Sequence, residues 1–435
     1  MNQQKKQNNS VAIIMMILLF GMISFVTNLA APMGKILKIQ FEVSNALGLF
    51  GNLGNFIAYA IMGIPGGMML QKYGYKKTAL IAIAVGIVGV FIQFLSGGAG
   101  PSIAFVVYLL GALVAGFSMC LLNTVVNPML NTLGGGGNKG NQLIQVGGSF
   151  NSVMATLTPM LVGALVGEIV KGKTQISDVY PVMYIAMGIF ALAFIVLYIV
   201  QIPEPHAEKA SEPLGNLIKG ALKFRHFILG SIAIFVYVGV EVGTPGVLDL
   251  WLTSKGNGGA GISPTVSGFI CGTYWFLMLI GRLVGASIGG KVSSKSMLTV
   301  TSVVGLILVA LAMFSPATPV SIPVLQTSAT GALSFGLTEV PIYALYLLLV
   351  GFCTSIMWGG IFNLAVEGLG KYLAAASGLF MVLVCGGGIL PAIQGWIADL
   401  AGYQISYWVI FAGLAYLLYY ALIGSKNVNK DIPVD

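Results

Sequence analysis

Charge is what this chain has least of. Asp, Glu, Lys and Arg together make up 8% of its 435 residues, while apolar residues reach 57%. A soluble domain covers its surface with charge to stay in water, so a soluble enzyme or scaffold is excluded. Histidine is scarcer still: His206 and His226 are the whole supply, both in a polar stretch mid-chain. No histidine relay can therefore run through the apolar segments, and no HExxH metal site exists. The cysteines, Cys120, Cys271, Cys353 and Cys385, sit in apolar runs without CxxC spacing. That pattern speaks against structural disulfides and metal clusters. The glycine run at 134–137, with Asn138 and Lys139 after it, lacks the GxxxxGK[ST] pattern, and no strand precedes it. It reads as a flexible gate between two spans, and a nucleotide-driven pump is excluded for this chain.

Long apolar runs fill the space that charge leaves. A bilayer crossing needs about 20 mostly apolar residues, and about twelve such segments can be drawn. They lie at 11–33, 45–70, 78–96, 103–132, 142–169 and 179–201, then 227–252, 265–290, 297–314, 342–366, 373–397 and 403–424. The first is too long for a signal-peptide core and is read as a span. The expected fold is an all-α membrane protein of two six-helix bundles, 1–201 and 227–435, joined by a linker at 202–226. That linker holds Pro203, Glu204, Pro205, Glu208 and Glu212.

With alternating spans, Lys5, Lys6, Lys72, Lys76, Lys77, Lys209, Lys219, Lys223, Arg225, Lys291, Lys295, Lys371, Lys426 and Lys430 fall on one side. The other side holds only Lys35, Lys38, Lys171, Lys173 and Lys255. The positive-inside rule puts the richer side, the linker and both termini in the cytoplasm. The net charge of +8 thus reports topology, and no nucleic-acid partner is expected.

The two halves echo each other. Asn28 precedes Pro32 by four residues in the first span, as Glu241 precedes Pro245 in the seventh. Asn127, Asn131 and Gly134 share their spacing with Asn363, Glu367 and Gly370 in the tenth. Similar halves around a midplane site are the plan of an alternating-access transporter.

Glu241 is the first candidate for function. A mid-span carboxylate is costly and usually faces a bundle interior or water. Pro245 has no N–H, so the Glu241 carbonyl loses its helical partner, and carboxylate plus carbonyl could hold Na+. The same carboxyl could carry a proton, and the alternative is a packing acid paired with Lys or Arg. Asn123, Asn127 and Asn131 stack on one helical face, offering both donors and acceptors to hydroxyls, or else bonding helix to helix. Asn363, their counterpart in the tenth span, and Gln145 join them. Trp358, well inside its span, could stack on an apolar sugar face. Trp251, Trp396 and Trp408 read as interfacial or packing residues. Asp249 reads as a solvated helix end, and Arg282 as either a gate partner of an acid or a loop anchor.

Several motifs carry a family resemblance. Between spans two and three stand Gly66-Gly67-Met68-Met69-Leu70-Gln71-Lys72-Tyr73-Gly74-Tyr75-Lys76-Lys77, echoed by Gly281-Arg282 and Gly289-Gly290-Lys291. This resembles the signature loop of the major facilitator superfamily, with Gln71 in place of the usual acid. Phe25-Val26-Thr27-Asn28-Leu29, Asn123-Thr124-Val125-Val126-Asn127-Pro128, Ser149-Phe150-Asn151-Ser152 and Tyr237-Val238-Gly239-Val240-Glu241 narrow it further, as does Gly386-Gly387-Gly388-Ile389-Leu390-Pro391. Together they resemble the fucose/glucose/galactose permease branch.

The resemblance implies a sugar substrate, cavity-facing positions for Asn28, Asn123, Asn151 and Trp358, and gating by Gly74, Lys76, Lys77 and Arg282. Proton-coupled members of the branch have acids where Asn28 and Asn123 stand here, and an amide cannot titrate.

The expected function is import of a hexose-type monosaccharide by a secondary transporter, a monomer in the lipid of a bacterial inner membrane. It needs no cofactor and couples through Glu241 to Na+ or H+. A sugar uniporter, or a drug or lipid exporter of the same superfamily, is the alternative. An intramembrane hydrolase lacks its constellation, and a sensor lacks its output domain.

Overall fold

The computed structural model describes residues 9–41, 45–166, 175–204, 213–256, 258–262, 264–327, 333–429 and 431–434. Pro205, His206, Glu208, Lys209, Glu212, Lys5, Lys6, Lys171, Lys173 and Lys430 lie outside the described residues. The chain folds first into α1 (Asn9–Phe41), α2 (Asn45–Ser96), α3 (Pro101–Leu133), α4 (Gly137–Val166) and α5 (Tyr180–Ile199). A short α6 (Leu214–Ala221) leads to α7 (Arg225–Thr253), α8 (Pro264–Ile288) and α9 (Ser294–Phe314). Strands β1 (Pro319–Thr327) and β2 (Leu333–Pro341) come next. The last elements are α10 (Ile342–Thr354), α11 (Met357–Ala365), α12 (Leu373–Val382), α13 (Gly386–Ala401), α14 (Tyr403–Ser406) and α15 (Trp408–Tyr419).

Among the described residues, ten segments are long and apolar enough to cross a membrane. One, Phe56–Ser96, turns at Gly74 and makes two crossings, and the more polar α4 adds another. The expected twelve-helix architecture stands. Two crossings are broken. α10 and α11 part at Ser355, and α12 and α13 part at a 3₁₀ turn, Leu383–Cys385. At Gly386 a Cβ would overlap the Phe235 carbonyl of α7, so this glycine admits the neighbouring helix. The first half meets the second where α2 crosses α12. There a Cβ on Gly67 would lie 3.1 Å from the Gly378 Cα.

Three features differ from the sequence reading. The linker carries α6, whose Leu217 and Ala221 are buried one turn apart, with Gly220 against Tyr372. α7 starts at Arg225, so His226 belongs to that helix and is buried, its Nε2 2.9 Å from the Glu367 carbonyl oxygen. The stretch between spans nine and ten is an antiparallel hairpin pairing Ile322 with Thr338 and Val324 with Gly336. Ile322, Val324 and Val340 are buried, while Phe335 packs edge-on against Phe276 of α8 with ring centroids 5.3 Å apart.

Gly74 makes the turn between spans two and three with φ +77°, a backbone only glycine adopts without strain. The Glu204 carboxylate accepts the Tyr75 N–H at 2.6 Å and the Lys76 N–H at 2.9 Å, capping the helix that starts there. Lys76 Nζ donates to the carbonyls of Tyr198 and Val200 at 2.8 and 2.7 Å, closing the end of α5. The turn at Gly74 and the Lys76 side chain, expected to gate, are thus tied to the linker's Glu204 and to the end of α5, while Lys77 is exposed.

The face bearing this clamp also carries α6 and the chain's last residues. There the Lys371 N–H donates to the Val434 carbonyl and the Arg225 N–H to Asn429 Oδ1. We refer to it as the linker face.

Glu204→Ala strips two backbone donors of a charged acceptor and should cost about 1–2 kcal/mol. Glu204→Gln, which keeps an acceptor, should lose less. Thermal unfolding in detergent measures both, and an unchanged midpoint in Glu204→Ala would dispose of the clamp.

Candidate functional site

The α3 asparagines build the site by their spacing. Asn123 Nδ2 bonds the Tyr59 hydroxyl of α2 at 2.5 Å and its own Met119 carbonyl at 3.3 Å. Asn127 Nδ2 donates back to the Asn123 carbonyl at 2.9 Å, which leaves Asn127 Oδ1 facing the other half. Trp358 Nε1 of α11 donates to that oxygen at 2.9 Å. A ring from one half and an amide from the other therefore meet at the interface. Tyr237 of α7 and Phe380 of α12 flank the indole, with centroids 6.3 and 6.4 Å away. One turn towards the linker face, Asn131 Nδ2 donates to Asn363 Oδ1 at 2.7 Å, and Asn363 Nδ2 to Ser294 Oγ at 2.9 Å.

The charged part of the site lies on α7 and α8. Glu241 Oε1 accepts the Tyr237 hydroxyl at 2.9 Å and faces Arg282 Nη2 at 3.4 Å, both charged side chains largely buried. The remaining Arg282 donors turn elsewhere. Nη1 reaches the Gly148 carbonyl at 2.9 Å, Ser152 Oγ at 3.0 Å and Asn151 Oδ1 at 3.4 Å, all on α4. Nε reaches the Ser355 carbonyl at 3.3 Å, where the break between α10 and α11 brings a backbone oxygen into range. A guanidinium stays charged and offers a rigid fork of donors, so one side chain can serve an acid and two helices at once.

The sequence candidates divide accordingly. Asn123, Asn127 and Trp358 come together. Asn151 accepts from Arg282 at 3.4 Å, with its Nδ2 on the Phe20 carbonyl at 3.0 Å. Asn28 bonds its own helix at the Ser24 carbonyl and hydroxyl, at 2.8 and 3.1 Å.

Gln145 and Asn363, taken as sugar contacts, are buried in bonds that join the halves. Gln145 Nε2 donates to the Ile356 carbonyl at 2.8 Å. An amide in apolar surroundings takes the first partner it can reach, and here that partner is the opposite half. Asp249, read as a solvated end, is half-buried and accepts the Ser267 hydroxyl at 2.5 Å, tying α7 to α8.

Tyr59, Tyr237 and Ser152 were missed. Tyr237 stands one turn before Glu241, a spacing that could have flagged it; Tyr59 and Ser152 carry no such signal. Among the described residues no group of three His, Cys, Asp or Glu could hold a metal.

Asn131→Ala and Asn363→Ala each remove the same bond. A double-mutant cycle in thermal unfolding should give a coupling of about 0.5–1.5 kcal/mol. Strictly additive losses would mean that the two amides do not act as a pair.

The model of the Major Facilitator Superfamily matches residues 11–390. Over 428 residues the chain is 28% identical to a glucose/galactose transporter of Brucella abortus, covering 97% of this chain and 96% of the relative. It is 27% identical over 442 residues to a putative glucose/galactose transporter of Helicobacter pylori, covering 98% of this chain and 100% of that one. An L-fucose-proton symporter of Escherichia coli is 20% identical over 80% of this chain and 77% of its own length.

Among solved structures, the E. coli fucose:proton symporter matches with a TM-score of 0.79 at 17% identity, over 96% of this chain and 99% of that one. The proton:xylose symporter bound to 6-bromo-6-deoxy-D-glucose matches with a TM-score of 0.69 at 14% identity, over 97% and 98%. At these identities the likeness is one of fold. With the family model spanning most of its length, the chain belongs to the Major Facilitator Superfamily.

Proposed function

We propose that this chain is a secondary transporter that imports a hexose-type monosaccharide by alternating access, coupled to H+ or Na+ through Glu241. One observation carries the reading: the Trp358 indole and the Asn127 amide, from opposite halves, are bonded to each other at the interface. An aromatic face and an amide are the groups that hold a sugar's apolar side and its hydroxyls. Here they satisfy one another, and a bound sugar would come between them. Full-length similarity to proteins named glucose/galactose transporters supports the substrate class.

Asn123 and Asn151 flank this pair and complete the proposed contact set, and Asn28 lines the approach. Glu241 couples either by taking a proton or by offering Na+ its carboxylate and the carbonyl that Pro245 leaves without an N–H partner.

The linker face is proposed to be cytoplasmic, with both termini on that side, in the inner membrane of a bacterium. The lysine distribution supports that orientation. The bundles at 1–201 and 227–435, with 202–226 between them, are the proposed moving bodies of a monomer surrounded by lipid.

Uptake of a labelled monosaccharide panel into proteoliposomes tests this, under a proton gradient, a sodium gradient or neither. Accumulation that follows one gradient and is lost in Glu241→Gln is expected. Equilibration that ignores both gradients and survives the substitution would make the protein a uniporter, and uptake of no sugar would remove the substrate class.

Trp358→Phe keeps a ring but loses its N–H. It should weaken half-saturation for the transported sugar roughly 5- to 30-fold, as expected for about 1–2 kcal/mol of hydrogen bonding. Unaltered half-saturation would place the sugar elsewhere.

A further inference from the structure

Arg282 joins two things that are otherwise separate. On one side it pairs with Glu241, in the same half of the molecule. On the other it holds three acceptors of α4, in the opposite half: the Gly148 carbonyl, Asn151 Oδ1 and Ser152 Oγ. Towards the linker face, α4 and α8 stay in contact through Gln142, whose Nε2 donates to the Ala286 carbonyl at 2.9 Å. The guanidinium can therefore reach water on that side only if α4 and α8 part.

We propose that Arg282 is a charge-gated latch: while Glu241 is ionised it clamps α4 to α8 and keeps the linker face closed, and neutralising Glu241 releases the clamp. The physics is one of counter-charge. Arginine does not lose its proton, and a buried guanidinium needs a compensating charge. With Glu241 neutral, Arg282 keeps only uncharged acceptors in apolar surroundings, which is the state a membrane interior disfavours. Opening the linker face hydrates it.

Other ionisable groups near the pair are few. α7 and α8 bring Tyr237, Tyr274 and Cys271, with Asp249 two turns away and bonded to Ser267. α10 brings Cys353, α4 carries only Lys139 in its first turn, and α11 carries none. The charge of Glu241 is thus the variable that sets the latch. A proton, or a sodium ion on the carboxylate, neutralises it equally.

The latch rests on the coupling role proposed for Glu241, but its test needs no sugar, so it can succeed or fail apart from the substrate reading. Spin labels at Lys139 and Ser287, exposed positions on α4 and α8, report the separation of the two helices in the full-length protein. The background replaces Cys385, which is not fully buried.

Glu241→Gln should shift the population towards the longer distance roughly tenfold or more, as loss of a buried counter-charge demands. Arg282→Gln should do the same, and the double variant should go no further. Lowering the pH, or adding Na+ at fixed pH, should move the wild type the same way and leave Glu241→Gln where it is. Ser152→Ala removes one α4 acceptor without touching the ion pair and should shift the balance roughly two- to tenfold. A Glu241→Gln protein that keeps the short distance would overturn the latch. So would single-variant effects that simply add.

Discussion

Lipid offers no hydrogen bonds, and that constraint organises this molecule. A polar group carried into the membrane is stabilised when another part of the protein satisfies it. Here many of those partners lie in the opposite half. Asn127 finds Trp358, Asn131 finds Asn363, Gln145 finds the Ile356 carbonyl, and Arg282 finds α4. Each such bond inside a membrane is worth about 0.6 kcal/mol on average, enough to hold a seam collectively and little enough to break in turn. The smooth contact of Gly67 against Gly378 serves the same end, since it has no side chains to unlock. The two halves meet along a seam of such bonds.

Much of this was legible in the residues. Apolar length announced the crossings. The i, i+4, i+8 asparagines announced a polar face. What stayed hidden were partners distant in the chain. Glu241 and Arg282 are 41 residues apart, and Asn131 and Asn363 are 232 apart. No spacing rule reaches that far. The sequence reading therefore left open whether Glu241 has a basic partner. The partners of Gln145 and Asn363 stayed hidden for the same reason, because an amide's chemistry does not say which hydroxyl or carbonyl it will meet. The hairpin at 319–341 did leave a trace in the alternation of Val320, Ile322 and Val324.

Positions with the same spacing in the two halves do different things. Asn28 and Glu241 each stand four residues before a proline, yet one bonds its own helix while the other meets a guanidinium.

The clamp at Gly74 bears on how the protein is made. Lys76 leaves the ribosome 128 residues ahead of Glu204, the acid that accepts its backbone N–H. Spans four, five and six are synthesised in between, and throughout that interval the first turn of span three waits without its cap. The N-terminal half is therefore closed from its far end. The acid just beyond the sixth span completes a helix begun three spans earlier, so a chain truncated before Glu204 would hold all six crossings and still be unfinished.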